Sequence, residues 1–159
     1  MNTTDIQLFE TGNGGDFALL NDDLLMSETL YQQIYLGLFG GNIEASTKAS
    51  YLESEERFDY WGNSLIWNDS KTKQFNSETE RVLANIALNS SGRLSIIQAV
   101  NKDLDYLKDV IDYTIEVVIE NVSSLSISVS FSGKTNQQNR LLQMVWNNLK
   151  KEVVINKII

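Results

Sequence analysis

The chain of 159 residues contains no cysteine, no histidine and no proline. Without cysteine it has no disulfide, no thiol nucleophile and no thiolate metal ligand. Without histidine it lacks the commonest general base and the commonest zinc ligand, so a Ser-His-Asp triad is excluded within this chain. Thiol and imidazole chemistry is therefore excluded, and we expect neither a cofactor nor a metal.

Basic residues are also scarce. The chain has 13 Lys and Arg against 21 Asp and Glu, a net charge of -8, and its basic residues form no cluster beyond Lys150–Lys151. Nucleic-acid binding normally needs a basic face, so we expect no nucleic-acid partner. No apolar run approaches the ~20 residues that span a bilayer, and the polar start does not resemble a signal peptide. We expect an intracellular protein with no membrane partner and no small-molecule substrate.

Hydrophobic periodicity in the first half predicts a hairpin and then a helix. Residues 5–10 and 16–20 read as short extended runs joined by the flexible TGNGG turn. Ser27 is a good N-cap for an apolar helix from Glu28 to Phe39, which Gly40–Gly41 would end.

The middle of the chain predicts two further helices. Ser77 and Glu80 have the spacing of a capping box, which would begin a short helix that continues to about residue 89. Gly92 is expected to break it. Apolar residues then recur every three or four positions from Arg93 to Ile111, which predicts a long helix.

The last third predicts a second hairpin and a final helix. In SLSISVSFSG (124–133) apolar residues alternate with serines, a period that only a strand satisfies, and residues 112–121 would pair with it. Apolar residues at helical spacing predict a helix over 136–151. The tail 152–159 has no predicted partner strand, and as an extension or docking tail it packs either on this domain or on a partner. The prediction is one α+β domain, residues 1–159. Its small antiparallel sheet, the N-terminal hairpin plus the 112–132 hairpin, would pack against three to four helices.

The stretch RFDYWGNSLIW (57–67) concentrates aromatic residues around one glycine. Such a cluster typically fills a core where the backbone must approach closely, but Trp, Tyr and Arg also dominate interfaces. Both interpretations stay open: the stretch either anchors a loop on the core or binds a partner. The residues that would serve either role are Arg57, Tyr60, Trp61, Gly62 and Asn63.

Other polar stretches offer weaker alternatives. The carboxylates Glu53, Glu55, Glu56 and Asp59 allow a cell-wall glycosidase, although sequence proximity does not create a cleft. Asp16 and 21–23 (NDD) lack the calcium-loop pattern, and GNGG (12–15) lacks the ending of a phosphate loop. The serine strand 124–132 is either a solvated sheet face or an edge open to a partner's strand, as in a free-standing binding module.

The order of these features resembles the baseplate wedge family of contractile phage tails, in its Mu-like branch. That branch is related to the lysozyme-like wedge proteins of other myophages and of type VI secretion systems. The resemblance covers about residues 5–150 and includes the strand SLSISVSFSG. The other matching residues are Gly15-Asp16, Asp22-Asp23-Leu24, the helix 28–39 with Leu36, Leu38 and Phe39, Arg57 with Tyr60-Trp61-Gly62-Asn63, and Leu142 with Trp146.

This resemblance implies a structural subunit that acts by assembly rather than by chemistry. Its partners would be other baseplate wedge subunits and the tail sheath, and its place the virion tail baseplate, assembled in the host cytoplasm. The chain departs from the family in two places. Asn63 stands where the branch usually has Asp, and the Glu-Pro-Arg docking motif of the lysozyme-like relatives is absent.

Overall fold

A computed structural model describes residues 4–7, 19–41, 65–66, 68, 73–135 and 137–159. Within them lie eight strands, three α-helices and one 3-10 helix, Asp105–Leu107. The strands are β1 Thr4–Ile6, β2 Leu19–Leu20, β3 Asp23–Leu24, β4 Met26–Glu28, β5 Ile111–Ile119, β6 Ser124–Gly133, β7 Arg140–Asn147 and β8 Glu152–Ile158. The helices are α1 Thr29–Phe39, α2 Glu78–Asn85 and α3 Ser90–Asp103.

The main sheet is an antiparallel meander with the strand order β5-β6-β7-β8. The predicted hairpin of 112–121 and 124–132 is confirmed, with Val117 opposite Ile127. The α+β class is therefore correct, but the sheet has four strands from one continuous stretch rather than two separate hairpins. A continuous meander keeps successive strands adjacent, as short connections favour.

The predicted helix over 136–151 is wrong, because residues 140–147 form β7. Arg140, Leu142, Met144 and Trp146 are buried, and the residues between them are partly exposed. Leu142 and Trp146 are four positions apart, a spacing that fits one helical face and one strand face equally well. Pairing with β6 on one side and β8 on the other decides between the two.

The tail is likewise not unpaired. Residues Glu152–Ile158 form β8, which pairs with β7 and carries a register shift opposite Gln143 and Met144. Val153 is 2% exposed and belongs to the core. The tail therefore packs on its own sheet. Its strand could not be predicted because its partner strand, β7, has helical spacing in the sequence.

Most of the predicted N-terminal hairpin, residues 8–18, lies outside the described residues. In the part that the structure describes, β1 pairs with β4, placing Asp5 opposite Ser27, and β2 pairs with β3 rather than with β1. Asn21 and Asp22 make the tight β2–β3 turn with φ of 53° and 64°. Asn and Asp tolerate this left-handed conformation better than most residues. The acidic stretch is thus a turn, and it joins β2 to β3.

The helix α1 begins one residue later than predicted, at Thr29. Glu28 occupies the N-cap position without making a side-chain cap bond, and Ser27 lies in β4. The Glu28 carboxylate instead accepts a hydrogen bond from Arg140 Nε at 2.7 Å. Gly40 ends the helix as predicted, and Gly41 follows at φ 108°, which glycine adopts without strain.

The capping box at Ser77 is confirmed in its first half, since Ser77 Oγ accepts from the Glu80 amide at 3.0 Å. Gly92 does not separate the helices as predicted. It lies in the first turn of α3, where a Cβ would meet the Ala87 carbonyl oxygen at 2.1 Å. The long helix ends at Asp103 rather than at 111, and Ile111 begins β5.

One hydrophobic core lies between the inner face of the main sheet and the helices. Aromatic residues join the two layers: Tyr31 meets Phe131 edge to face at 5.2 Å between ring centroids, and Phe39 stacks on Trp146 at 6.5 Å. The described helices include none that is both long and apolar enough to cross a membrane.

Candidate functional site

The site predicted from the aromatic stretch cannot be placed. Arg57, Tyr60, Trp61, Gly62 and Asn63 lie outside the described residues. The same holds for the acidic run 53–59, for Asp16 and for the GNGG stretch. Those interpretations stay predictions.

The acidic turn can be placed, and its side chains serve the backbone. The Asp23 carboxylate accepts from the Leu24 amide at 2.8 Å, a common local bond in turns. Across the described part of the chain, no group of three or more carboxylates is arranged to hold a metal ion.

The best-defined candidate surface is the outer face of the main sheet, opposite the core. We call it the serine face because the five serines of β6 run along its centre. Directly opposed residues of antiparallel strands project to the same side, so the register defines its membership. It comprises Asp112, Thr114, Glu116, Val118, Glu120, Ser124, Ser126, Ser128, Ser130, Ser132, Leu141, Gln143, Val145, Asn147, Glu152, Val154, Lys157 and Ile159.

The centre of the serine face is small, uncharged and internally bonded. Gln143 Nε2 donates to Ser126 Oγ at 3.2 Å and to Ser128 Oγ at 3.3 Å, and these bonds link β7 to β6. Ser126 is 4% exposed. The flanks are open, since Val118 is 47% exposed on β5 and Val154 is 38% exposed on β8. The centre is therefore small and nearly neutral, whereas the flanks mix exposed valines with charged residues such as Glu116 and Lys157.

The serine strand itself is not an edge. β6 has β5 on one side and β7 on the other, so no partner strand can be added to it. Of the two earlier alternatives for 124–132, strand addition is wrong, and the sheet face with small side chains is the one observed.

The two true edges of the sheet differ. On β5, the Val117 carbonyl accepts from Arg93 Nε of α3 at 2.6 Å. A side chain that binds an edge carbonyl obstructs pairing there. On β8, the register shift and the exposed Lys157 have a similar effect, because bulges and edge lysines discourage strand addition. The face of this sheet is therefore a better contact surface than its edges.

A shallow cavity of about 560 Å³ lies at one end of the serine face. It is lined by Thr114, Ser130, Leu141 and Ile159, with Asp112 and Asn139 among its polar residues. Beneath it, Arg140 is held by Glu28, and Tyr31 Oη donates to the Ile159 carbonyl at 2.7 Å. These contacts fix the floor of the cavity to α1.

A second polar cluster joins the three helices inside the molecule. The Asp103 carboxylate accepts from the amides of Glu78 at 3.0 Å and Thr79 at 2.7 Å, at the start of α2. Ser77 Oγ contacts both Asp103 and the Leu38 carbonyl at the end of α1. A carboxylate at a helix N-terminus also complements the helix dipole. The Asp103 carboxylate thus joins the end of α3 to the start of α2, which indicates a structural role.

Burial raises the pKa of Asp103 above its ordinary value of 3.8, against the opposing effect of the hydrogen bonds from Thr79, Glu78 and Ser77. A folded-state pKa above the unfolded value means that the stability contributed by this group is fully present below the unfolded pKa. It is lost as the pH rises through the folded pKa.

We therefore expect the wild type to gain stability relative to Asp103→Asn as the pH falls from about 7 to about 3. Urea unfolding of both proteins across this range measures the difference. Glu78 acts in the opposite direction, because its hydrogen bond from Lys102 lowers its pKa, but it is present in both proteins and cancels. A difference that shrinks toward low pH would contradict the assignment.

The sequence predicted the serines of the serine face but not the residues that the neighbouring strands contribute to it. Alternation in SLSISVSFSG predicted one small polar side. The residues that β7 and β8 place on this face could not be predicted, because 136–151 fits a helical period and the tail showed no partner.

Comparison with protein-family models, with curated proteins and with solved structures found no match to this chain.

Proposed function

We propose that this chain is a structural subunit of a contractile tail baseplate, where it acts by binding neighbouring wedge and sheath subunits. The observation that carries the proposal is the ordered set of motifs, from Asp22-Asp23-Leu24 through Tyr60-Trp61-Gly62-Asn63 to Leu142 and Trp146.

The packing of these motif residues is consistent with a shared structural purpose. Leu38 has no exposed surface, and Phe39 at the end of α1 stacks on Trp146 of β7. Motif residues from α1 and from β7 therefore meet in one core. This packing would keep the domain rigid while its surface contacts neighbours.

The surface also suits assembly. The outer strands of the serine face carry exposed valines and charged side chains, and both can contact a neighbouring subunit. In the proposal, this chain occupies the inner baseplate of a virion tail or of a related injection device and is assembled in the cytoplasm of the host.

Deletion of the gene, followed by electron microscopy of the particles, tests the proposal. We expect tails with assembled baseplates to disappear and to return when the wild-type chain is supplied from a plasmid. Intact, contractile tails in the deletion strain would overturn it. The matched control is the variant Leu149→Ala, which should not change the stability of the fold. Supplied in place of the wild type, it should restore the tails completely.

A further inference from the structure

We propose that the serine face is the contact surface of a two-fold symmetric dimer of this chain, in which two sheets stack face to face. The inference rests on the strand register and the charges of the face, so it stands independently of the proposed function.

One row across the face carries opposite charges at its two ends. Glu116 on β5, Ser128 on β6, Gln143 on β7 and Lys157 on β8 are successive neighbours in the register. Three strand spacings of about 4.8 Å separate the outer strands, so Glu116 and Lys157 lie about 14 Å apart, beyond the reach of an ion pair. Both are exposed, and within the described part of the chain neither forms a salt bridge.

A two-fold axis parallel to the strands brings these charges together. Rotation about such an axis places β5 of one copy over β8 of the other and keeps each row in register with itself. Glu116 then lies against Lys157 of the partner subunit, and the same contact occurs twice by symmetry. In the middle of the row, Gln143 faces Ser128 of the partner subunit, a pairing of donor and acceptor.

The adjacent row is complementary in its apolar residues. It runs from Val118 through Ser126 and Val145 to Val154. The same rotation sets Val118 against Val154 of the partner subunit. These are the two exposed valines of the row, at 47% and 38%, and both would be covered by the dimer.

The size of the face agrees with a weak, specific dimer. Four strands of about eight residues cover roughly 19 Å by 26 Å, or about 500 Å² in each copy. Two copies would bury about 1,000 Å², which is below the roughly 1,200–2,000 Å² of stable interfaces and in the range of weak, transient ones. Stacked sheets pack aligned, about 30° apart and about 10 Å between mean planes, which small serines in the centre permit.

Charge also selects the axis. A two-fold axis across the strands would place β5 antiparallel over β5, where the carboxylates Asp112, Glu116 and Glu120 of the two copies repel one another. The axis along the strands leaves one unfavourable row, in which Glu120 faces Glu152 of the partner subunit. Lys150 lies 3.2 Å from Glu152 in the same chain and offsets that charge.

Sedimentation of the purified chain over about 5 to 500 µM tests the dimer. We expect the weight-average mass to rise from one chain toward two. Glu116→Lys and Lys157→Glu should each weaken the dimer at least about tenfold, because each sets like charges against each other. The double variant carrying both changes should recover most of the wild-type affinity, because the pair is restored with its signs exchanged.

Asp109→Lys is the matched control, since it makes the same charge change at an exposed position outside the sheet. It should dimerise like the wild type, and circular dichroism should show that all variants remain folded. A chain that stays monomeric throughout the series would overturn the proposal. So would a dimer whose affinity is unchanged by the single reversals, or one that the double reversal fails to restore.

Discussion

The variant Leu142→Ala should lose about 2–5 kcal/mol of unfolding free energy. Leu142 has no exposed surface, and it sits on β7 between β6 and β8. Removing its side chain leaves a cavity that the surrounding sheet cannot fill by moving, because strands on both sides hold its backbone. Urea unfolding monitored by tryptophan fluorescence measures the loss.

Leu149→Ala makes the same chemical change seven residues later and should alter stability by no more than about 0.5 kcal/mol. Leu149 lies in the turn between β7 and β8 and is 81% exposed. If 136–151 were a helix, Leu142 and Leu149 would share one buried face, and the two alanine substitutions would lower the unfolding free energy by similar amounts. Equal losses would therefore contradict the strand assignment, and unequal losses support it.

Arg140→Met should cost about 2–4 kcal/mol, because it leaves the Glu28 carboxylate without its cation near the core. Arg140 is 6% exposed and Glu28 24% exposed in their side chains, and their 2.7 Å bond joins α1 to the main sheet. This loss of unfolding free energy is somewhat smaller than the usual cost of breaking a buried ion pair, because water still reaches part of Glu28.

A double-mutant cycle separates the pair from the packing of its side chains. Glu28→Gln with Arg140→Met should be more stable than the sum of the two single losses predicts, by about 1–2 kcal/mol. Additive losses would show that Arg140 stabilises the fold by its aliphatic stem rather than by its charge.

Local signals in the sequence predicted several elements correctly. The alternation of Leu125, Ile127 and Val129 has one structural solution, and the Ser77 capping box depends on neighbours only three residues apart. Gly40 and Gly41 end α1 as predicted because helix termination is also a local event.

The wrong predictions concern segments whose structure depends on pairing with residues that are distant in the sequence. β7 follows helical spacing as well as strand spacing, and only its two sheet neighbours resolve the ambiguity. Glu28 is an N-cap without a cap bond, since Arg140 on a strand more than a hundred residues later takes its carboxylate. The β1–β4 pairing likewise depends on contacts beyond any local turn signal.

The apparent length of the third helix has a similar cause. Leu104 and Leu107 continue the apolar spacing past Asp103, but Leu104 is the C-cap of α3 and Leu107 lies in the 3-10 helix that follows. Both are buried, so the pattern of burial continues while the helix has already ended. For the candidate site, the sequence predicted the serines of β6 but not Glu116 and Lys157 as two ends of one row.

Mass spectrometry of purified contractile particles from the organism that encodes this chain tests whether the chain is a baseplate subunit. We expect the chain to co-purify with the particles in a fixed ratio to the wedge subunits and to form chemical cross-links to wedge and sheath proteins. Particles that are complete and contractile but contain none of this chain would contradict it.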